Sequence, residues 1–360
     1  MKRMNLMLTV AAVGLFAAPQ PLDACTGITL HAADGAHVVA RTIEWGGSNL
    51  NSLYVVVPRG YAQRSFTPGG QEGMRFTARY GYVGFAVERE EFVAEGLNEA
   101  GLSAGLFYFP GYGEYAPYDA ARNDANIADL QLVPLVLGSC RTIDEVKELL
   151  TRVCVIGIDP RASTVHWRFT DLSGRQVVLE IINRKPVFYE NELGVLTNSP
   201  GFEWQLTNLN NYVNLHAGGA GAHPMGGIQL AAFGAGSGML GLPGDVTPPS
   251  RFVRAAFFQT TAPQPATALD AVLQGFQILT NFDIPIGVEF AAGEIPADIP
   301  SATQWTSATD PVNRVIYYRT MYNSAIRSID LRQIDFSKVA YRSAPLDEVR
   351  QQPVHPIRIE

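Results

Sequence analysis

Cys25 is the residue of this sequence whose type and position best suit nucleophilic chemistry. It directly follows Ala24, at the end of a segment that resembles a secretory signal, so cleavage between the two would leave a cysteine at the N-terminus. Such a residue carries a thiol with a pKa of about 8.5 and an α-amine with a pKa of about 8. Because the amine can take the thiol proton near neutral pH, the sequence predicts an N-terminal residue that is both nucleophile and base.

Residues 1–24 have the parts of a signal peptide. Lys2 and Arg3 precede an apolar run at residues 6–18, which is shorter than the roughly 20 residues needed to span a bilayer. A buried N-terminal helix is the alternative interpretation. We expect residues 1–24 to be removed and the protein that starts at Cys25 to be periplasmic or secreted.

Residues 22–25 also resemble the cleavage box of a lipoprotein. Lipid on the Cys25 sulfur would abolish its thiol chemistry and would leave the fold as an anchored binding module. Asp23 is unusual inside such a box. The mass of the exported protein separates the two, because lipidation adds mass and peptidase cleavage leaves a bare cysteine.

The composition indicates a large globular domain and disfavours two kinds of partner. The 360 residues are 47% hydrophobic and 17% charged, which is enough apolar material for a substantial core. The formal charge of −7, without a run of Lys or Arg, disfavours nucleic acid and anionic membranes. The histidines lack metal-ligand spacing, and no metal or organic cofactor is predicted.

Cys140 and Cys154 are the other two cysteines. An oxidising compartment would permit a disulfide between them. Both lie among apolar residues, so two buried free thiols are the favoured interpretation.

The hydrophobic pattern predicts strands at both ends of the chain with helices between them. The predicted strands are 26–31, 37–42, 53–57, 82–87, 102–109, 164–170, 176–181, 187–190, 194–197, 315–319 and 325–331. The predicted helices are 127–137, one that a capping box opens at 142–145, 250–259 and 268–279. This order suggests two packed sheets with helices outside them.

Residues 218–244 hold ten glycines and few charges. Residues 236–241 match the dinucleotide-binding fingerprint, but no strand precedes them and Pro243 follows in place of a helix. We expect a long surface loop with a role in function or assembly.

Arg41 lies on the second strand of the hairpin predicted to follow Cys25, and Glu44 comes three residues later. A guanidinium beside the thiol would lower its pKa and favour the thiolate. A carboxylate near the new N-terminus could hold the α-amine by a charge-assisted hydrogen bond. For Arg41, a surface position at a strand end is the alternative.

These residues fall in five ordered blocks that resemble the choloylglycine hydrolase family, which includes bile salt hydrolases and penicillin V acylases. The blocks are Cys25-Thr-Gly, Arg41-Thr-Ile-Glu-Trp45, Glu95-Gly-Leu-Asn-Glu-Ala-Gly-Leu102, Thr197-Asn-Ser-Pro-Gly-Phe-Glu-Trp204 and Leu242-Pro-Gly-Asp-Val-Thr-Pro-Pro-Ser-Arg-Phe-Val-Arg254. The resemblance implies an α+β fold, an αββα sandwich of two antiparallel sheets, as a single domain over residues 25–360. It also implies hydrolysis of a linear amide C–N bond and a homo-oligomer, a tetramer.

The same resemblance assigns roles to individual residues. Cys25 matches the nucleophile and Arg41 the arginine that tunes its thiol. Asn198 matches the side-chain oxyanion donor and Arg251 the second active-site arginine. The backbone N–H donor is placed near Phe107.

Two positions depart from the family pattern. Glu44 stands where the family commonly has aspartate, and it reaches one methylene further. Phe107 stands at the position aligned with asparagine in bile salt hydrolases and with tyrosine in many penicillin acylases, so it favours an apolar acyl group. Trp45, Phe107 and Tyr108 are expected to line that pocket, whereas Phe109 is expected to be ordinary core.

The sequence therefore predicts an exported cysteine amidohydrolase that acts on a small-molecule amide with an apolar acyl group. The candidate substrate classes are penicillin V, N-acyl homoserine lactones and conjugated bile salts. After processing, no contact with a membrane is expected.

Overall fold

The computed structural model describes residues 23–68, 70–158, 163–291 and 293–359. Most of the predicted signal peptide lies outside these residues, and only Asp23 and Ala24 of it are described. In chain order the described strands are β1 Asp23–His31, β2 His37–Trp45, β3 Leu53–Val57, β4 Ala62–Arg64, β5 Arg75–Thr77, β6 Tyr82–Ala86, β7 Val93–Asn98, β8 Ser103–Tyr108, β9 Asn126–Ala128, β10 Cys154–Ile156, β11 Val165–Thr170, β12 Gln176–Ile182, β13 Lys185–Glu190, β14 His223–Met225, β15 Ile228–Leu230, β16 Thr303–Asp310, β17 Val315–Thr320, β18 Asn323–Asp330 and β19 Arg342–Pro345.

The helices are fewer and lie between and outside the strands. Those described are α1 Leu132–Ser139, α2 Ile143–Leu149, α3 Phe202–Asn208, α4 Pro248–Thr261 and α5 Ala268–Leu279. Short 3-10 turns cover Ala120–Arg122, Asp129–Gln131, Leu209–Tyr212, Ser237–Met239, Thr280–Phe282, Ile286–Glu289 and Leu331–Gln333. Among the described residues, no helix has the length and apolar character needed to cross a membrane.

Two antiparallel sheets form the centre of the molecule. One has the strand order β1-β2-β16-β17-β18, and the other has the order β13-β12-β11-β8-β7-β6-β3-β19. Helices α4 and α5 pack on strands of the first sheet, α1 packs on β7 and β8 of the second, and β1 contacts β8 between the sheets. The predicted αββα sandwich is confirmed.

Helix α5 illustrates why the sequence folds in this way. Thr267 and Asp270 form a capping box at its start, an arrangement that stabilises a helix by about 1 kcal/mol. Its buried residues recur at intervals of three and four, which directs one face to the five-stranded sheet. At Gly275 a Cβ would lie 3.4 Å from the Cβ of Ala40, so the helix backbone approaches β2 closely. The helix thereby supports the hairpin that carries the candidate site.

Two predicted elements are wrong in extent, and a central strand was not predicted. The predicted helix 127–137 is divided, because Ile127 pairs with Val155 in a short parallel ladder and the helix begins only at Leu132. The predicted strand 194–197 is reduced to a single bridge between Leu196 and Gly27. Strand β16 was not predicted, because its sequence is polar although every residue in it is buried.

Cys140 and Cys154 are both free thiols. Cys140 is buried, as expected, but Cys154 is half-buried at the start of β10. The favoured interpretation of two unpaired thiols is therefore confirmed, although only one of them is fully enclosed.

The glycine-rich segment 218–244 is exposed over most of its length, as expected of a surface loop. It also contains a small hairpin of β14 and β15 that the sequence did not predict. Gly226 lies in the turn of that hairpin with a φ of +59°, a left-handed conformation that glycine adopts without strain.

Candidate active site

The first hairpin places Arg41 against the thiol of Cys25. In the register of β1 and β2, Arg41 lies directly opposite Gly27, two residues from Cys25 on the same face. The Nη2 of Arg41 donates to Cys25 Sγ at 2.8 Å. The surface alternative for Arg41 is wrong, since the side chain is fully buried.

Arg41 is held in place by the backbone around it. Nη1 donates to the carbonyl oxygens of Leu106 at 2.6 Å and Ala94 at 3.2 Å, and Nε donates to that of Thr42 at 3.2 Å. Arginine does not lose its proton in proteins. The thiol therefore faces a fixed positive charge.

The thiol itself is enclosed, and the electrostatic effects on it are opposed. Burial raises the pKa of Cys25 above its ordinary value, while Arg41 lowers it, Glu44 raises it and Arg251 lowers it. The Tyr108 N–H also hydrogen bonds to the sulfur and lowers the pKa. The Cys25 nitrogen here belongs to the peptide bond with Ala24, so it cannot act as a base in this form.

Asn198 lies at the nitrogen of Cys25. Its Oδ1 accepts from the Cys25 N–H at 2.8 Å and from Nη2 of Arg251 at 2.7 Å, and its Nδ2 donates to the Tyr108 carbonyl at 2.8 Å. Among the described residues only this one bond from Nδ2 is seen, although the group carries two hydrogens. The second hydrogen is available for a developing oxyanion.

Arg251 ties helix α4 to the start of β1. Its Nη1 donates to the Cys25 carbonyl at 2.5 Å and to Thr26 Oγ1 at 2.7 Å, and its Nε donates to the Val246 carbonyl at 2.8 Å. The structure thus brings together Cys25, Arg41, Asn198 and Arg251, which are far apart in the sequence.

Glu44 is a buried acid without a full set of partners. It lies opposite Ala24 in the hairpin and is 1% exposed. Thr303 Oγ1 donates to its Oε1 at 3.4 Å, whereas Oε2 has no hydrogen-bond partner among the described residues. Burial raises the pKa of Glu44 to about 8, and the positive charge of Arg251 offsets this only in part. In this form Glu44 does not contact the Cys25 nitrogen, whose partner is Asn198.

We expect Glu44→Gln to impair hydrolysis far more than Glu44→Asp. A free Cys25 ammonium would lower the pKa of Glu44 from the value it has in this form and favour the carboxylate. The carboxylate in turn raises the pKa of the ammonium, and glutamine removes this effect. The loss in Glu44→Gln should therefore grow with pH, because the general acid is deprotonated at lower pH than in the parent. If the profiles of kcat/KM against pH superimpose for the two variants, Glu44 takes no part in the mechanism.

The backbone donor at the thiol is Tyr108, and the prediction of Phe107 is corrected by one residue. The Phe109 N–H donates to the Thr164 carbonyl at 2.8 Å in the antiparallel ladder of β8 and β11. Because N–H directions alternate along a strand, Phe107 also directs its N–H to β11, and Tyr108 directs its N–H the other way, to Cys25.

The predicted pocket residues have different surroundings. The Phe107 ring is fully buried beneath the Arg41 guanidinium, 4.2 Å from its Cζ, so it does not line an open acyl pocket. Tyr108 and Trp45 are half-buried, and the Trp45 indole donates to Ser48 Oγ at 3.0 Å. Phe109 is core, as predicted.

Two buried charged residues near the site were not assigned from the sequence. Glu95 on β7 and Arg168 on β11 are each 1% exposed and form an ion pair at 2.8 Å. The sequence carries a signal for Arg168, because this arginine stands between Trp167 and Phe169 in a predicted strand. Within the described residues, no group of His, Cys, Asp and Glu is arranged to hold a metal ion.

Side chains from β2, from the segment after β13 and from α4 thus converge on Cys25. The chain belongs to the choloylglycine hydrolase family of linear amide C–N hydrolases, whose model matches residues 25–342. It is therefore a hydrolase of linear amides.

Relatives and solved structures agree with this membership. A bile salt hydrolase/transferase of Clostridium perfringens is 31% identical over 315 residues, which are 86% of this chain and 93% of that protein. A penicillin V acylase of Pectobacterium atrosepticum is 24% identical over 86% of this chain and 81% of its own length. A variant of the conjugated bile acid hydrolase from Clostridium perfringens, solved by crystallography, superimposes with a TM-score of 0.80 at 28% identity, covering 93% of this chain and 100% of that one.

Proposed function

We propose that this protein is exported, that residues 1–24 are removed, and that the freed Cys25 is the nucleophile of an amidohydrolase. One observation carries the proposal. The Cys25 sulfur is 2.8 Å from Arg41 Nη2, and the Cys25 nitrogen is 2.8 Å from Asn198 Oδ1. Cleavage before Cys25 would convert that nitrogen into an amine next to its own thiol.

The chemistry then follows from the positions of these groups. The α-amine takes the thiol proton, and the thiolate of Cys25 attacks the amide carbonyl. Asn198 Nδ2 and the Tyr108 N–H donate to the oxyanion that develops, and the α-ammonium protonates the leaving amine. Water activated by the same amine hydrolyses the thioester, which regenerates the thiol and releases the acid.

The surroundings of Ala24 support an apolar acyl group. Ala24 is 4% exposed and packs with Ile284 and Ala302, and Val246 and Ile286 lie against this cluster. Removal of the segment before Cys25 would open an apolar slot beside the thiol. Burial of a hydrophobic acyl chain in such a slot stabilises binding by about 25 cal/mol per Å² of apolar surface removed from water.

We propose an acyl amide of the penicillin V class over a conjugated bile salt. Overall identity is higher to the bile salt hydrolase, but Tyr108 provides the backbone donor and so lies next to the acyl group. From the sequence, the family's asparagine of bile salt hydrolases and tyrosine of many penicillin acylases align with Phe107. With the backbone donor at Tyr108, we move that alignment by one residue, and the chain then has the tyrosine of the penicillin acylases.

We expect kcat/KM to be highest for penicillin V in a panel with N-acyl homoserine lactones and with glycine- and taurine-conjugated bile salts. Tyr108→Asn should lower the preference for penicillin V by about tenfold, within the range that one pocket contact supplies. Its matched control is Tyr112→Asn, which changes a largely exposed tyrosine. If the parent prefers taurine conjugates, or if Tyr108→Asn leaves the ratios unchanged, this assignment is wrong.

The lipoprotein alternative makes a different prediction about Cys25. A lipid thioether at the buried sulfur would have to displace the Arg41 guanidinium, which supports the free thiol. The intact mass of the exported protein, measured under denaturing conditions, reports a bare cysteine or a diacylglyceryl adduct. A diacylglyceryl adduct would show that the Cys25 sulfur is not a free thiol and would contradict the proposed mechanism.

A homo-oligomer, as the family resemblance implies, is part of the proposal. Met225 and Ile228 of the small hairpin and Phe233 beyond it expose most of their side chains. Such an apolar group on a protruding loop favours an association surface. The molar mass of the mature protein in solution reports the oligomeric state.

A further inference from the structure

Three buried charges form a row that ends at the Cys25 thiol. Arg41 Nη1 lies 3.7 Å from Glu95 Oε2, and Arg168 Nη2 donates to Glu95 Oε1 at 2.8 Å. None of these three side chains is more than 1% exposed. Such charges are costly to bury and need partners.

The backbone leaves room for this row at two glycines. Gly105 lies opposite Glu95 in the ladder of β7 and β8, and a Cβ at Gly105 would overlap the Glu95 carboxylate. At Gly27 a Cβ would lie 3.0 Å from the Phe107 ring and 3.2 Å from Arg168 Nη1. The packing at both positions depends on the absence of a side chain.

The row carries a net positive charge that is directed at the sulfur. One carboxylate, Glu95, lies between two guanidiniums, and its shorter contact is with Arg168. Both guanidiniums also lie near the Phe107 ring, whose centroid is 4.2 Å from Cζ of Arg41 and 5.6 Å from Cζ of Arg168. Arg41 keeps its own hydrogen bond to Cys25.

We propose that Arg168 is a positioning residue for hydrolysis: it holds Glu95, so that the charge of Arg41 acts on the Cys25 thiol instead of being neutralised. This rests on the proposed role of Cys25 as nucleophile. Without Arg168, Glu95 would pair with Arg41 alone, and the net charge behind the sulfur would fall from one to zero. Without Glu95, two cations would remain.

The other charged groups around the thiol are accounted for. Arg41 and Glu44 face it from β2, and Arg251 faces it from α4. Glu289, on the 3-10 turn Ile286–Glu289, acts on Glu44 and Arg251. All of these remain in place in the variants below, so a change in thiol ionisation reports the row behind it.

The test measures the pH dependence of Cys25 alkylation by iodoacetamide in the mature protein, with the Cys25 peptide quantified by mass. Arg168→Met should shift the profile upward by about one pH unit, so that alkylation on its acidic side is about tenfold slower. Glu95→Gln should shift it in the opposite direction. The double variant Glu95→Gln/Arg168→Met should return close to the parent, because Arg41 alone restores the net charge of one.

Two further variants separate this role from general damage. Arg168→Lys keeps the charge and should give a profile close to that of the parent, even if Arg168→Met folds poorly. Arg327→Met removes a half-buried arginine that pairs with Asp347 at the far edge of the five-stranded sheet, and it should change nothing. A purely structural role would move the Arg168→Met and Glu95→Gln profiles in the same direction.

The proposal is overturned if the Arg168→Met and Glu95→Gln profiles superimpose on that of the parent, or if they shift in the same direction. Turnover of Cys25→Ser keeps this result distinct from the proposed function. An inactive Cys25→Ser together with unshifted profiles refutes only the role of Arg168. A fully active Cys25→Ser refutes the nucleophile, whatever the alkylation profiles show.

Discussion

Cys25→Ser is expected to lower kcat by roughly 10⁴–10⁶-fold, the scale on which a hydrolase loses activity when its nucleophile is removed. The α-amine that serves as base has a pKa of about 8, which is close to that of a thiol but far below that of an alcohol. The amine therefore cannot produce a useful concentration of serine alkoxide. Arg41, 2.8 Å from the sulfur, stabilises a thiolate that the variant cannot form at working pH.

The other two cysteines provide the matched controls for this result. Cys140 is buried and Cys154 is half-buried, and in the described structure both are unpaired. Cys140→Ser and Cys154→Ser should change the free energy of unfolding and leave kcat close to that of the parent. If either abolishes turnover in folded protein, the nucleophile has been assigned to the wrong cysteine.

A chain that retains Met1 tests the same mechanism from the other side. In that form the Cys25 nitrogen is an amide and has no basic lone pair. We expect no turnover until the segment before Cys25 is removed, and N-terminal sequencing of the active protein should begin at Cys25. Full activity with Met1 in place would contradict the use of the α-amine as base.

The sequence predicts the parts of the site that lie on regular, strongly patterned elements. The first hairpin has alternating apolar residues and a tight turn, so its register and the proximity of Arg41 to Cys25 follow from pairing rules. The positions of Asn198 and Arg251 came from the family blocks and not from periodicity. Arg251 reaches Cys25 through the packing of α4 against β1, and Asn198 does so through the bridge between Leu196 and Gly27.

The errors arise where tertiary contacts override local pattern. Strand β16 is polar yet fully enclosed, because it is central in its sheet and neighbours cover both of its faces. Tyr108 replaces Phe107 as backbone donor because strand pairing fixes the direction of each N–H. At the end of β8 the ladder with β11 continues to Tyr108, whereas the ladder with β7 stops at Gly105, and the sequence does not show this difference. The pairing of Glu95 with Arg168 cannot be predicted from the sequence, because the space for the Glu95 carboxylate exists only where the ladder places Gly105 opposite it.

Asn198→Ala is expected to lower kcat by about 10²–10³-fold with KM nearly unchanged, because an oxyanion donor acts mainly on charge that develops in the transition state. The structure shows that alanine also removes an acceptor, since Asn198 Oδ1 binds both the Cys25 nitrogen and Arg251. Leaving a buried donor of Arg251 unpaired costs about 1–3 kcal/mol, which thermal unfolding should detect.

Asn198→Asp separates the two roles of this side chain. Aspartate keeps an oxygen for the Cys25 nitrogen and for Arg251, but it has no Nδ2 to donate to the Tyr108 carbonyl or to an oxyanion. If the donor matters most, Asn198→Asp should lose at least as much kcat as Asn198→Ala, because its negative charge also opposes the oxyanion. Its free energy of unfolding should nevertheless lie closer to that of the parent. Near-parental turnover in Asn198→Asp would show that Asn198 acts by holding the amine of Cys25. A change in KM alone in Asn198→Ala would show uniform substrate binding by Asn198, and either result would contradict its role as an oxyanion donor.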